Sequence, residues 1–525
     1  MKRKEAKNDL SRRDFIKTTA IGVGATAMAG LSANDTKAQD ITLIENWDKE
    51  ADVVVVGYGG AGAAAAITAH DAGASVLILE KMKIGGGNTG VSGGSVFNPT
   101  DVEGAILYFN ALTADLGIPV APEMVRTWAE EMSKNRQWME GLGAPIAWDS
   151  NPGFAPEWPG VPGAESAHTF TVPPPGQPRG RGYDLFNFLS AQVNSRQIEI
   201  LYETLGKELV TNCRGEVLGV IAETASRKIA IKARRAVILT TGGFENNQPM
   251  VRDYLGLAEC RPRGNPGNTG DGLKMALKVG ADLWHTNNLA GLRVSLKVPG
   301  TDVVVGPTST GNSYIFIAGD GHRYIDETIE ERHGRVEVHG QWVKNPMFTR
   351  SYIIFDEKKR RAGALGSISS ASGYVGVHKL YTWSKDNSAE IQAGLIIVGE
   401  TIKELAGKIG VDPGNLEATV VEYNAFCSAG EDKEYGRPAN TLVPIDTPPY
   451  YAAKITPGML NTQGGPRRNP KAQVVDPSGK PIPRLYSAGE LGSIYANLYN
   501  GGGNLGEDLA FGRIAGRNAV AEAPW

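Results

Sequence analysis

The run Gly57-Tyr58-Gly59-Gly60-Ala61-Gly62 has the G-x-G-x-x-G spacing that lets backbone N–H groups reach a pyrophosphate. A helix opening at that point adds the partial positive charge of its N-terminus. Glu80 follows at the separation where an acid accepts hydrogen bonds from an adenosine ribose. The motif alone is weak, so its flanks decide. Ala51-Asp-Val-Val-Val-Val56 reads as a buried strand and Ala63 to Ala72 as an alanine-rich helix. Ser75-Val-Leu-Ile-Leu79 reads as a second strand ending at Glu80. Together they make a βαβ unit whose first turn holds a dinucleotide.

A second glycine cluster, Gly85-Gly86-Gly87-Asn88-Thr89-Gly90-Val91-Ser92-Gly93-Gly94, follows directly. A nicotinamide dinucleotide does not need it. FAD does, because a second loop must embrace the diphosphate and ribityl chain. The strand Ala236-Val-Ile-Leu-Thr-Thr-Gly-Gly-Phe244 again sets glycine against a dinucleotide. Asn268-Thr269-Gly270-Asp271-Gly272 opens a helix at Leu273, where Asp271 can receive a ribose or ribityl hydroxyl.

These elements are spread along the chain. Residues 100–200 mix helix and loop, with a proline-rich stretch at 151–182 that reads as an active-site wall. A β-pattern at Glu199–Thr204 and a hairpin around Gly215 precede the strand at 236. The segment 285–440 has mixed character and ends in a helix pair, Ile402–Ile409 and Leu416–Phe426, with Asp412-Pro413 as the cap between them. The glycine pattern then resumes in Leu485-Tyr-Ser-Ala-Gly-Glu490 and Tyr499-Asn500-Gly501-Gly502-Gly503-Asn504-Leu505, before a C-terminal helix. The expected fold is α/β: a Rossmann-like FAD-binding domain at 45–284 and 441–525, split by an inserted α+β capping domain at 285–440.

Composition agrees. The 525 residues carry 54 Lys+Arg against 57 Asp+Glu, a formal charge of −3, which excludes a broad electrostatic nucleic-acid binder. The 66 glycines have no G-x-y period, so they act locally. Cys213, Cys260 and Cys427 lie far apart, with no metal spacing and no haem motif. They read as buried apolar residues, with no metal site expected. At the N-terminus, Lys2, Arg3, Lys4 and Lys7 precede Ser11-Arg12-Arg13-Asp14-Phe15-Ile16-Lys17, a twin-arginine pattern, and a mild Gly/Ala-rich segment from Thr18 to Leu31. Residues 1–38 are expected to be a signal peptide that exports a folded, cofactor-loaded protein to the periplasm or an equivalent extracytoplasmic space. No later stretch is long and apolar enough for an integral membrane protein.

The motif set as a whole resembles the flavoproteins of the fumarate reductase/succinate dehydrogenase group, which includes soluble fumarate reductases, urocanate reductase and 3-ketosteroid dehydrogenases. The resemblance rests on G-Y-G-G-A-G, Glu80-Lys81, G-G-N-T-x-x-S-G-G, T-T-G-G-F, T-G-D-G, G-H-R-Y-I-D-E, N-T-Q-G-G, S-A-G-E and G-G-G-N, in that order, and covers nearly all of 50–525. It implies FAD contacts at Gly57, Gly59, Gly62, Glu80, Asn88, Thr89, Gly93, Gly94, Asp271, Glu490, Asn504 and Leu505. Gly60, Ala61, Lys81, Ser92, Thr241 and Gly242 join them within the same motifs, and the backbone of Val210 is expected at the adenine. Asn88 stands where membrane-complex relatives carry the histidine that attaches FAD, so noncovalent FAD is implied.

The departures bear on substrate. Asn461 and Tyr499 stand where soluble fumarate reductases place the histidine and arginine that grip a dicarboxylate. Tyr499 followed by Gly503 is similar to the ketosteroid dehydrogenase arrangement, in which a tyrosine hydroxyl and a glycine N–H polarise a carbonyl. Arg332, one residue beyond the family spacing, is the expected proton donor, supported by Glu330 or Glu331. His333 is the other candidate, with a side chain that titrates near neutrality in general. His168 and His285 are expected to make structural hydrogen bonds. Three readings follow: a reductase of an activated C=C bond in an enone or acrylate-like small molecule, a ketosteroid-type dehydrogenase, or an electron carrier without catalysis. Each leaves electron exchange to a separate partner, such as a quinol-linked cytochrome or a flavin-bearing protein.

Overall fold

In the computed structural model the described residues are 44, 46–114, 120–149, 156–308, 310–366 and 373–525. The expected signal peptide and Pro152 lie outside them.

The first sheet grows from the strand Lys49–Val56, flanked in parallel by Val76–Leu79 and Lys228–Leu239. Its full order is 473–475, 481–487, 228–239, 49–56, 76–79 and 199–201. The antiparallel hairpin Leu205–Thr211 and Val217–Glu223 extends from 228–239, with Gly215 at a φ of 77° in its turn. The valine run forms a central strand because both of its faces are covered. Val53 and Val55 enter one core and Val54 and Val56 the other, all fully or nearly fully buried. The expected helix opens at Gly60 rather than Ala63 and runs to Asp71.

The second sheet is centred on Tyr450–Met459. The strands 293–297, 351–356 and 396–399 pair antiparallel with it, and Arg261–Pro262 pairs in parallel. Alternate residues again serve two cores: Ile353 and Phe355 face one, Ile354 the other. The helix pair appears as Ile402–Ile409 and Pro413–Ala429, and Asp412 caps the second by accepting from Asn415 N at 2.9 Å. Arg261–Pro262 and Tyr450–Met459 pair within this sheet although both lie outside 285–440. Cys260 is buried, but Cys213 is exposed and Cys427 half-buried, contrary to the expectation that all three pack inside.

The C-terminal helix Gly503–Ala521 lies against Gly60–Asp71. A Cβ on Gly512 would stand 2.7 Å from Ala61 O, and one on Gly516 2.6 Å from Ala65 O, so the backbones touch where no side chain fits. The helix also brings charge into the interior. Glu507 pairs with Arg468, Arg513 donates to Asn135 Oδ1 at 2.9 Å, and Asp508 accepts from Thr89 Oγ1 at 2.9 Å.

Two outcomes follow. A Cβ on Gly62 would lie 2.1 Å from Gly57 O, so Gly62→Ala must push the helix off the strand; it should cost about 1–3 kcal/mol in denaturant unfolding. Burial pushes the Asp508 carboxyl up from 3.8 to about 7. The folded state then binds more protons than the unfolded chain between about pH 4 and 7, and stability falls as pH rises through that window. Melting the flavin-free protein across this range should show that fall, and Asp508→Asn should flatten it. Glu245 and Glu490, also raised by burial, leave a residual slope of the same sign.

Candidate functional site

Two cavities adjoin at the carboxyl end of the parallel strands, where open α/β sheets bind ligands. The first is lined by the expected residues Gly57, Gly59, Gly60, Ala61, Glu80, Lys81, Asn88, Thr89, Thr241, Gly242, Asp271 and Glu490. The second contains Ser92, Gly93, Gly94, His333, Tyr499, Asn504 and Leu505. Asn88, Thr89, Glu490 and Asp508 border both, so the two form one continuous space.

The first cavity suits a dinucleotide. Gly57 has a φ of 107°, and a Cβ there would strike Thr240 O at 2.4 Å. Glu80 is held in place by Tyr58 N (3.0 Å) and Met82 N (2.7 Å). Lys81 Nζ bonds Asp271 Oδ2 at 2.6 Å and Thr269 Oγ1 at 2.8 Å. The buried Thr241 hydroxyl has no partner among the described residues, a polar atom that a ligand hydroxyl or phosphate would satisfy. Asn88 Nδ2 bridges Glu245 Oε1 (2.7 Å) and Glu490 Oε2 (2.8 Å). Burial raises both carboxyls, and the charge of Glu245 raises Glu490 further, so the pair retains a proton.

Two expected cofactor residues stand apart from both cavities. Gly62 packs against Gly57 O instead of lining the space. Val210 sits mid-hairpin, paired with Gly219; the part of that strand bordering the cavity is its start, Leu205 and Gly206. Strand twist carries Val210 away, which chain position cannot show.

The second cavity reassigns the catalytic candidates. Arg332 does not line it. Its Nε bonds Glu330 Oε1 at 2.9 Å, its Nη1 donates to Glu157 O at 2.7 Å, and its guanidinium sits 5.1 Å from the Trp342 ring centre and 5.7 Å from that of Trp158. Arg332 is a strut behind the wall. His333, held at a φ of 42°, turns the opposite way into the cavity. Its Nδ1 lies 2.6 Å from Glu157 Oε1. An ionised carboxylate only accepts, so beside one Nδ1 would be the nitrogen that carries hydrogen.

Glu157 escaped the sequence reading because its only signal was the proline-rich stretch around it. Its Oε2 accepts from Gly501 N at 2.6 Å, and its own N donates to Asn500 Oδ1 at 3.1 Å. Buried Glu157 thus joins His333 to the turn that holds Tyr499. The Tyr499 ring stands 4.9 Å from His333, and Trp158 Nε1 donates to Tyr499 O at 3.0 Å. Burial raises the Tyr499 phenol, so it stays a protonated donor. Its hydroxyl accepts from Asn504 N at 3.3 Å. Gly503 is a correction: its N–H donates to Asn500 O at 2.9 Å and is spent inside the turn. Asn504 is fixed by paired 3.0 Å amide bonds with Gln463.

The outlying histidines are structural. His285 Nδ1 meets Ser493 O at 2.9 Å, and burial lowers its pKa to about 4. His168 Nδ1 lies 3.3 Å from Ser166 O. Two arginines that the sequence reading passed over, Arg263 and Arg293, also line the second cavity. Among the described residues no group of three or more His, Cys, Asp or Glu side chains is arranged to hold a metal, and no helix is long and apolar enough to cross a membrane.

The family model described as FAD binding domain matches residues 52–505. The fumarate reductase (cytochrome) of Shewanella frigidimarina is 28% identical over 499 residues, covering 93% of this chain and 80% of that protein. The urocanate reductase of Eggerthella lenta is 29% identical over 520 residues, covering 95% and 80%. The crystal structure of 3-ketosteroid delta1-dehydrogenase from Sterolibacterium denitrificans superposes with a TM-score of 0.72 at 23% identity, over 90% of this chain and all of that one, a likeness of fold. With the motif residues gathered on one dinucleotide-shaped space, the chain belongs to the FAD binding domain family and is an FAD-dependent oxidoreductase of the group that holds the fumarate and urocanate reductases.

Proposed function

We propose that this protein reduces an activated C=C bond, in an enone or acrylate-like small molecule, within the second cavity. One observation carries the reading: a carboxylate-held imidazole and a buried phenol, 4.9 Å apart, share a cavity that continues into the FAD motif residues. In this reading Gly57, Gly59, Gly60, Ala61 and Thr241 hold the diphosphate side of a noncovalent FAD, and Asn88, Gly93, Gly94, Asn504 and Leu505 hold its ring side. Bound FAD, once reduced by the electron-transfer partner, would supply one hydride for the β-carbon.

The protein's residues do the rest. Tyr499 donates its hydroxyl hydrogen to the substrate carbonyl, drawing charge from the β-carbon and stabilising the enolate that develops. His333 Nε2 gives a proton to the α-carbon. Glu157 fixes the imidazole's tautomer and stabilises its charged form. The N-terminus of the helix Gly503–Ala521 adds the positive end of its dipole beside Tyr499. The second sheet serves as a cap that excludes water. The twin-arginine segment exports the loaded protein, and a separate electron-transfer protein supplies reducing equivalents.

The flavin-bearing protein, reduced anaerobically, should be reoxidised by enones or aryl acrylates faster than by buffer. If no such compound does so, the proposal fails. His333→Gln should lower kcat about 10²–10⁴-fold, and Tyr499→Phe about 10²-fold, with flavin content unchanged.

A second reading, desaturation beside a ketone, draws on the Tyr499 turn and the fold shared with the ketosteroid dehydrogenase. Incubation with 3-ketosteroids and an artificial acceptor separates the two. We expect no turnover above background; product carrying a new double bond would favour dehydrogenation.

A further inference from the structure

The second cavity is also lined by two arginines, Arg263 and Arg293, that the chemistry above does not use. Arg263 directly follows the short strand Arg261–Pro262, and its backbone is pinned on both sides: its N donates to Met459 O at 2.8 Å, and its O accepts from Tyr374 N at 2.9 Å. Its side chain lines the second cavity. Gly306 leaves room for the guanidinium; a Cβ there would stand 3.1 Å from Nη2.

Buried arginines elsewhere are met by the protein itself: Arg323 by Glu327 and Asp432, Arg437 by Glu327, Arg468 by Glu507, and Arg335, without a carboxylate, by Asn288 Oδ1 at 2.9 Å. The Arg263 guanidinium has no carboxylate and no side-chain hydrogen bond among the described residues. Its nearest charged neighbours on the cavity side are Arg293 and, behind that, Glu331. Glu331 is already engaged, with Arg293 Nε at 2.5 Å and also with Gly334 N. Burial, with Arg293 adding to it, lowers the Arg263 pKa to about 10. A desolvated cation is costly unless an anion meets it. Arg293, on the facing strand 293–297, lines the same cavity and adds positive field.

We propose that Arg263, backed by Arg293, is a specificity-determining residue that binds an anionic group, a carboxylate, on the substrate at a point remote from the carbonyl held by Tyr499. This rests on reading the second cavity as the substrate site. It narrows the substrate class to alkenes with two polar handles: a carbonyl conjugated to the reacting bond, and a separate carboxylate. Arg263 comes from the second sheet and Tyr499 from the turn before the C-terminal helix, so one substrate would bridge both parts of the chain. A fork of N–H donors pairs well with two carboxylate oxygens, and a neutral ester forfeits that pairing.

The test uses the oxidised flavin-bearing protein and two probes, 4-carboxybenzylideneacetone and its methyl ester, titrated by the change in flavin absorbance. The acid should bind about tenfold or more tightly than the ester. Arg263→Gln should erase that preference while moving the ester by less than about twofold, and Arg263→Lys should restore part of it. In turnover, Arg263→Gln should raise KM for the acid and leave kcat nearly unchanged. The inference is overturned if the acid binds no better than the ester. It is also overturned if Arg263→Gln weakens both probes equally, or if that variant keeps the preference and instead loses FAD affinity. A preserved acid preference with no reoxidation of reduced flavin by either probe would sink the reductase reading and leave the anion subsite standing.

Discussion

The molecule depends on backbone meeting backbone around Gly57 and Gly62. The helix at Gly60 can leave the strand at Val56 as sharply as it does only because position 62 has no Cβ to strike the Gly57 carbonyl. That same helix then accepts the C-terminal helix along Gly512 and Gly516, again at backbone distance. Two helix N-termini thereby open onto the same space, one beside Gly59 and the other beside Tyr499. Positive partial charge at two points on the joined cavities follows from a packing constraint.

That packing also buries acids. Glu245, Glu490 and Asp508 crowd the border between the cavities, and burial raises all three carboxyls. Their hydrogen bonds to Asn88 and Thr89 tie this acidic border to the second glycine cluster. The cost is stability that falls with rising pH, a trade that suits sites where function outranks stability.

The catalytic side is built on a different principle, a loop threaded between two parts of the chain. Glu157 meets His333 through one carboxyl oxygen and, through the other, Gly501 in the turn before the C-terminal helix. Trp158 reaches Tyr499 O, while Arg332 lies near both Trp158 and Trp342. Each group is held by a second one, which is what keeps the His333 imidazole and the Tyr499 phenol at fixed separation.

The sequence by itself determined the cofactor part. The glycine spacings, the valine run, Glu80 and Asp271 are local signals, since backbone approach and strand or helix period are set within a few residues. It named His333 and Tyr499 as candidates but ranked Arg332 above His333, because spacing does not say which of two adjacent side chains faces inward. A positive φ at His333 decided that. It gave no sign of Glu157 or Arg263, whose partners or cavity lie hundreds of residues away along the chain. It also overvalued the Gly503 N–H, which the turn consumes. Ligand-shaped backbone is a short-range property. The charge and proton chemistry of a cavity is long-range, fixed only when the two sheets and the 156–163 loop close on one another.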